Sequence, residues 1–277
     1  MKIGVILVTF NRLDKLKIAL ECYEKQTHKP EYIYVINNHS TDGTDAYLKE
    51  WLAGNGVCER LVLELPYNSG GAGGFHDGLE AGLKKDADWL WVADDDAYPE
   101  PDAFEKINDY YESLSKDEKN GIAALCSAVI NNGKIHYAHR NHLNLSKFKC
   151  KFRESSPQEY EKKYFIYCDD QEHALRIRKA GRIVVVPESR VIHNTPGFDD
   201  KGIFWGMYYH ARNNLLMMRK HFPNRYYLLK MTKAYVVKAS ILSKNDKKTR
   251  DLYKAAYKDA FHNKKGIHEI YKPGWKY

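Results

Sequence analysis

The sequence predicts an α/β fold: a mostly parallel sheet flanked by helices, followed by a helical C-terminal extension. Three observations carry this. Apolar runs rich in β-branched and aromatic residues recur at Ile3–Phe10, Tyr32–Ile36, Leu61–Leu65, Trp89–Ala93 and Ala123–Ile130. Between them, Leu13–Gln26, Ala46–Ala53 and Phe75–Lys84 have helical spacing. Strands alternating with helices in this way form βαβ units, whose strands are covered on both faces. After Trp205 the chain turns helical, and Arg225–His262 combines helix formers with repeated Tyr and Lys.

The elements follow in order. The opening run MKIGVILVTFNR is cut off by Asn11 and Arg12 and lacks a small-residue cleavage site, so it reads as a first strand rather than an export signal. Residues 131–168 break the alternation: Gly133, a polar and basic run, and the alternating Lys147–Phe152 predict a hairpin or lip over the sheet. A helix follows over Asp170–Ala180, ended by Gly181, and Arg182–Pro187 reads as another buried strand. The chain divides on this reading into a body, 1–222, and an extension, 223–277.

Composition bounds the function. With 277 residues, 43% of them hydrophobic and 29% charged, the chain has a folding composition rather than a disordered one. It holds no run approaching the roughly 18 apolar residues of a membrane span, which argues against an integral membrane protein. Five scattered cysteines without a C-x-x-C pair argue against a disulfide framework or a zinc-thiolate site and fit a reducing cytoplasm. The net charge of +8 is unevenly distributed: residues 223–277 carry 14 Lys/Arg against 4 Asp/Glu, while 1–222 carry 30 against 32.

In sheets of this kind, ligands bind beyond the carboxyl ends of the strands. Thr9-Phe10-Asn11-Arg12 closes the first strand and Asn37-Asn38-His39-Ser40-Thr41-Asp42-Gly43-Thr44 the second. Their small polar groups suit a base or ribose, and Ser40, Thr41 and Asp42 equally suit a helix N-cap. Asn68-Ser69-Gly70-Gly71-Ala72-Gly73-Gly74-Phe75 then runs into a helix. Its glycines either form a bare turn or, the favoured reading, let backbone amides approach a phosphate at the helix N-terminus. A dinucleotide fingerprint belongs after the first strand, so this position argues against NAD.

Asp94-Asp95-Asp96 follows an apolar strand. Three adjacent carboxylates repel one another unless a cation neutralises them. Asp94 and Asp96 project to one side of an extended chain and can share Mg²⁺ or Mn²⁺, whose shell substrate phosphates complete. A solvated acidic loop is the alternative. Downstream, Asp169 or Asp170 suits a helix N-cap, and Glu172 with Arg176 makes an i,i+4 ion pair. His193, just past a strand, becomes a ligand if Asp94 and Asp96 hold a metal.

The ordered set VTFNR, NNHSTDGT, NSGGAGGF, ADDD, DDQE and VIH, spread over 1–222, resembles the family 2 glycosyltransferases, with their Rossmann-like GT-A fold. The glycine-rich segment and the triple aspartate are most similar to the galactofuranosyl- and rhamnosyltransferase branch, which builds bacterial cell-surface polysaccharides. The resemblance implies an inverting, divalent-metal-dependent hexosyltransferase. Its donor is a UDP- or dTDP-linked sugar and its acceptor a saccharide, lipid-linked. Thr9 and Asn38 fall at the nucleoside, with Asn38 where the family often has aspartate, and Asn11, Arg12 and Asn68 complete the donor contacts. Gly70, Gly71, Gly73, Gly74 and Phe75 line the donor pocket. Asp94 and Asp96 occupy the D-x-D positions, with Asp95 near the ribose or sugar and His193 completing the metal shell. Asp170 matches the catalytic base; Asp169, Glu172, Trp205 and Tyr209 fall on the acceptor side. Tyr208, Arg212 and Asn213 lie on a helix near the site or serve packing.

Two other classes compete. A sugar nucleotidyltransferase also places acids and glycine loops on an α/β sheet, but normally with a lysine-bearing glycine signature near the N-terminus that VTFNR lacks. A non-enzymatic module would use the extension, whose aromatics interleave with Lys in a pattern suited to single-stranded nucleic acid or an anionic membrane. A solvated helical face is the plain alternative. With a lipid-linked acceptor, membrane docking is favoured over nucleic acid, on the inner face of the cell membrane.

Overall fold

The computed structural model describes residues 1–135, 164–193, 203–237 and 246–277. The chain divides into two compact units, Met1–His142 with Ile177–Thr195, and Leu143–Arg176 with Pro196–Tyr277. Neither edge falls at 222/223: the extension shares a unit with 196–222, to which it is bonded through Tyr208–Asp259 and Arg212–Gly266 O.

In the first unit, β1 (Ile3–Thr9), β2 (Tyr32–Asn37), β3 (Glu59–Glu64) and β4 (Trp89–Asp94) form a parallel sheet in the order β3-β2-β1-β4. The order reverses between β1 and β4, so the carboxyl ends of these two strands flank the switch point where such sheets bind ligands. All seven residues of β1 are buried. Its alternate side chains point to opposite faces. Ile3, Val5 and Leu7 share a core with Leu16, Ala19, Leu20 and Tyr23 of α1 (Leu13–Glu24), Leu48 and Trp51 of α2 (Thr44–Ala53), and Phe104.

The opposite face carries α3 (Gly70–Gly82). This helix starts five residues before the expected Phe75. Gly70, Gly74, Gly78 and Gly82 recur every fourth residue, forming one stripe. A methyl group at Gly74 would lie 2.5 Å from Val8 Cγ1; at Gly78, 2.6 Å from Ile6 Cγ2 and 2.9 Å from Ile36 Cγ1; at Gly82, 2.8 Å from Ile6 Cδ1. The stripe therefore lets the helix backbone settle directly on the sheet.

The second sheet has the order β5-β8-β6-β7, with β5 (Tyr98–Pro99), β6 (Ile122–Asn131), β7 (Lys134–Ile135) and β8 (Arg182–Ile192). β6 and β8 run parallel, and β7 turns back on β6 through Asn132 and Gly133, both at positive φ, as in a tight hairpin. That hairpin opens the predicted lip; Lys147–Phe152 lies outside the described residues. The strand expected over Arg182–Pro187 continues to Ile192, its pairing with β6 jumping from Val186 to Arg190. Pro187 has no N–H to give the ladder, and Ser189 within the bulge shares a 2.6 Å hydrogen bond with Ser127 and donates to Ala103 O at 2.9 Å. Two helices had no counterpart in the reading of the sequence: α4 (Ala103–Glu112) and α5 (Lys116–Asn120), the latter opened by a Ser115/Glu118 capping box.

The second unit comprises α6 (Asp169–Ile177) through Arg176, α7 (Gly206–His221), α8 (Asn224–Lys233) and α9 (Lys247–Phe261). Tyr208 and Tyr209 of α7 share a core with Phe165, with Leu252 and Ala256 of α9, and with Tyr271. Among the described residues no helix is long and apolar enough to cross a membrane.

Candidate functional site

In the first unit the site is built on three strand ends. After β4 the chain turns within three residues into β5, which pairs antiparallel with Val191 and Ile192 at the end of β8. His193 N donates to Ile130 O, extending the strand. This short pairing brings Asp96 and His193, 97 positions apart, to a hydrogen bond of 3.1 Å between His193 Nε2 and Asp96 Oδ1. One ligand atom each of Asp94, Asp96 and His193 lies within 4.8 Å of the others. Two carboxylates and an imidazole converging so closely fit a hard-to-borderline divalent cation such as Mg²⁺ or Mn²⁺.

The acids are held by cations from the loop after β1. Arg12 Nη1 reaches Asp95 Oδ1 at 3.1 Å and Asp96 Oδ2 at 2.9 Å, and Lys15 Nζ reaches Asp96 Oδ2 at 2.7 Å. Thr9 Oγ1 donates to Asp95 Oδ2 at 2.7 Å. Burial opposes ionisation of Asp96, but the hydrogen bonds from His193 and Lys15 and the charge of Arg12 outweigh it and hold its carboxyl well below the usual range. The same bond to Asp96 raises His193. Asp94 keeps solvent access while the protein around it, then the charges of Asp95 and Asp96, push its carboxyl above the ordinary value. Asp95 is raised by burial, with Arg12 and Thr9 opposing.

The loops after β1 and β2 lock together. Asn11, at positive φ, donates its N–H to Ser40 Oγ, and its side-chain oxygen accepts from Thr41 N. Asp42 accepts from Leu13 N at 3.0 Å. Asn38 is buried; its Nδ2 donates to Gly70 O at 2.9 Å and its Oδ1 accepts from Ser69 N at 2.8 Å. Asn68 Oδ1 accepts from Gly70 N. Asn38 and Asn68 thus set the start of α3 from within.

In the second unit, Phe165, Tyr167 and Cys168 all have positive φ, a conformation L-residues adopt only when their surroundings impose it. The fully buried Asn213 imposes it, its Nδ2 facing the carbonyls of Tyr164, Ile166 and Tyr167 at 2.8–3.0 Å. Arg212 adds bonds to Tyr164 O and Gly266 O. The strained turn delivers Asp169, buried, and Asp170, exposed, at the N-terminus of α6. The surrounding protein raises the Asp170 carboxyl above its ordinary value, while backbone amides at the helix start and His210 oppose the rise.

The region of the family model for "Glycosyl transferase family 2" matches residues 4–170 of this sequence. The chain belongs to that family. Over 94 residues it is 37% identical to galactofuranosyltransferase GlfT1 of Mycobacterium tuberculosis, a stretch covering 34% of this chain and 30% of that protein. The counterpart from Mycolicibacterium smegmatis is 35% identical over 94 residues with the same coverage. The aligned stretch thus spans less than a third of the length of these curated relatives. Among solved structures, residues 1–349 of S. aureus TarS give a TM-score of 0.58 at 15% identity, covering 94% of this chain and 81% of that one. GalNAc-T7 in complex with UDP, GalNAc and Mn²⁺ gives 0.57 at 15% identity, covering 96% and 55%. These neighbours share the GT-A fold.

Against the roles that family 2 membership suggests, the structure brings Thr9, Arg12, Asp94, Asp95, Asp96 and His193 together. Lys15, part of the same ion-pair network, was missed; its place in the first turn of α1, three residues after Arg12, was the available signal. Three expectations need correcting. Glu172, expected at the acceptor, is fully buried, with Arg176 Nε at 2.9 Å, Lys220 Nζ at 2.8 Å and His221 Nε2 at 2.6 Å. Tyr209 is equally buried, its hydroxyl accepting from His268 N at 3.0 Å, with Trp205 edge-on at 5.7 Å. Gly74 and Phe75 are buried in α3, and the close approach to Val8 accounts for Gly74 without a ligand. Gly71, by contrast, has no atom within 4 Å of a methyl placed on it.

Proposed function

We propose that this chain is an inverting, metal-dependent hexosyltransferase that moves a sugar, galactofuranose or rhamnose, from a UDP- or dTDP-linked donor to a lipid-linked saccharide acceptor in bacterial cell-surface polysaccharide synthesis. The observation that carries the reading is the convergence of Asp94, Asp96 and His193 at the sheet's switch point. The 94-residue similarity to galactofuranosyltransferases supports the donor class, and GalNAc-T7, of the same fold, is bound to UDP and Mn²⁺.

Asp94, Asp96 and His193 would hold Mn²⁺ or Mg²⁺. A cation held there would supply Lewis-acid neutralisation of the charge that develops on the leaving diphosphate. Thr9, Asn11 and Arg12 border the nucleoside, and Asp95, oriented by Thr9 and Arg12, accepts from the ribose or sugar hydroxyls. Gly71 at the start of α3 lets the donor approach backbone amides at the positive end of the helix. Asp170 removes the proton from the acceptor hydroxyl as its oxygen attacks the anomeric carbon, and the nucleoside diphosphate leaves from the opposite face. A carboxylate with a raised pKa is the stronger base for that step. Asp169 and Trp205 border the acceptor. The protein works on the cytoplasmic side of the membrane, where its basic extension meets the anionic lipid surface. The decisive test is release of nucleoside diphosphate from candidate nucleotide sugars with and without Mn²⁺; pyrophosphate release from UTP with a sugar phosphate would support a nucleotidyltransferase instead.

A further inference from the structure

The extension concentrates two properties in one place. Of the 17 large hydrophobic side chains exposed among the described residues, eight lie within 223–277, the segment that also carries the excess of Lys and Arg. Four of the eight belong to α8 and the helical residues that continue it: Leu228, Leu229, Tyr235 and Val236, with Leu229 66% exposed. The inward side of this helix is defined by Tyr227, buried, with Met231 and Ala234 partly so, at i, i+4 and i+7. Leu229 and Val236, seven apart, therefore fall on the side facing away from the protein, with Leu228 and Tyr235, also seven apart, on its flank. Arg225, Lys230 and Lys233 are exposed along the same helix, and no acidic residue occurs between 224 and 237.

None of the extension's four acids lies on α8: Asp246 caps α9 through Thr249 N, Asp259, buried, accepts from Tyr208, and Asp251 and Glu269 are exposed further along the chain. An apolar ridge flanked by cations alone suits an in-plane interfacial helix: leucines and valine enter the acyl boundary, tyrosine sits at headgroup depth, and Lys and Arg pair with lipid phosphates.

We infer that the outward face of α8, with Leu228, Leu229, Tyr235 and Val236 as its apolar contacts and Arg225, Lys230 and Lys233 as its charges, docks this chain on an anionic lipid bilayer. The inference deepens the proposed membrane-side function and rests on it for its purpose, which is to hold the enzyme where a lipid-linked acceptor lies.

The test is flotation of the full chain with phosphatidylcholine vesicles with and without phosphatidylglycerol, at low and high salt. The wild type floats with the anionic vesicles and less at high salt. Neutralising Arg225→Gln, Lys230→Gln or Lys233→Gln weakens partitioning by about fivefold per charge. The double variant Leu229→Ser/Val236→Ser weakens it about tenfold or more, with melting temperature and metal-dependent UDP release from UDP-galactofuranose unchanged. Wild-type protein that stays down with anionic vesicles overturns the docking, as does a double variant that floats like the wild type. So does a wild-type dimer in sedimentation that the double variant abolishes, since a second copy would then be the occupant. Flotation without nucleoside diphosphate release from either UDP-galactofuranose or dTDP-rhamnose supports the docking and defeats the donor reading, so the two failures are distinguishable.

Discussion

Gly78→Ala and Gly71→Ala, two substitutions of the same kind in one helix, should have opposite consequences. At Gly78 the added methyl meets Ile6 Cγ2 at 2.6 Å and Ile36 Cγ1 at 2.9 Å, both on buried, stiff β-branched side chains of central strands. Overpacking of this kind costs about 1–3 kcal/mol, and two clashes place it in the upper part of that range. Replacing a helical glycine by alanine returns about 1 kcal/mol. The net loss of about 1–2 kcal/mol corresponds to a melting temperature lower by about 3–6 °C for a chain of this size. At Gly71 nothing lies within 4 Å, so only the helix gain remains, and the melting temperature is unchanged or slightly higher. There the methyl instead stands where the donor approaches the backbone, and donor affinity falls by about tenfold, roughly 1.4 kcal/mol. Thermal melts and calorimetric donor titrations of both variants measure the two effects. A Gly78→Ala protein as stable as wild type would refute the packing argument; a Gly71→Ala protein with wild-type donor affinity would refute the backbone approach.

Asp96→Ala removes the carboxylate shared by His193, Arg12 and Lys15 and is expected to abolish the Mn²⁺-dependent part of donor binding in calorimetry; retention of that part would discard the triad as the metal site. Asp170→Asn keeps shape and loses the base: turnover falls by about 10²–10⁴-fold while donor affinity stays within twofold or so, and wild-type kcat would remove Asp170 from the chemistry. Glu172→Gln leaves the buried Arg176 charge against a neutral amide, a loss of about 3–5 kcal/mol, read as a lower urea midpoint. Burial pushes Glu172 up, but His221, Lys220 and Arg176 bring its pKa down to about 2. A depressed carboxylate contributes stability above its unfolded pKa of about 4.3, lost as pH falls toward 2. Wild-type stability should therefore fall through that window more steeply than that of Glu172→Gln, and parallel pH profiles would contradict the assignment.

The strands and the acid-rich strand end were legible because they depend on local pattern. Ile3–Thr9 is apolar throughout since both faces of β1 are covered, and Asp94–Asp96 stands out because three carboxylates need an explanation. The glycines were only half legible: the cluster Gly70–Gly74 suggested a ligand loop, while the period-four stripe through Gly78 and Gly82 expresses helix-on-sheet packing. Helix α4 was missed because its anchors, Ala103, Phe104 and Ile107, are few among charged neighbours. The least legible features join residues far apart in sequence. Glu172 follows two aspartates, one residue removed, and looks like part of an acidic site until Lys220 and His221 fold onto it. For Arg212 and Asn213 the sequence left packing and ligand contact open; their partners are carbonyls of a turn nearly 50 positions upstream. Even the His193–Asp96 pair depends on β5, a two-residue strand that no periodicity reveals.

Metal-dependent sugar transfer is tested by a mass-spectrometric screen of UDP- and dTDP-linked sugars, UDP-galactofuranose and dTDP-rhamnose among them, incubated with the full chain with Mn²⁺ and with chelator. The expected result is release of nucleoside diphosphate from one donor, dependent on Mn²⁺ and lost in Asp96→Ala. Release that persists in chelator and in Asp96→Ala, or no release from any nucleotide sugar, would contradict it.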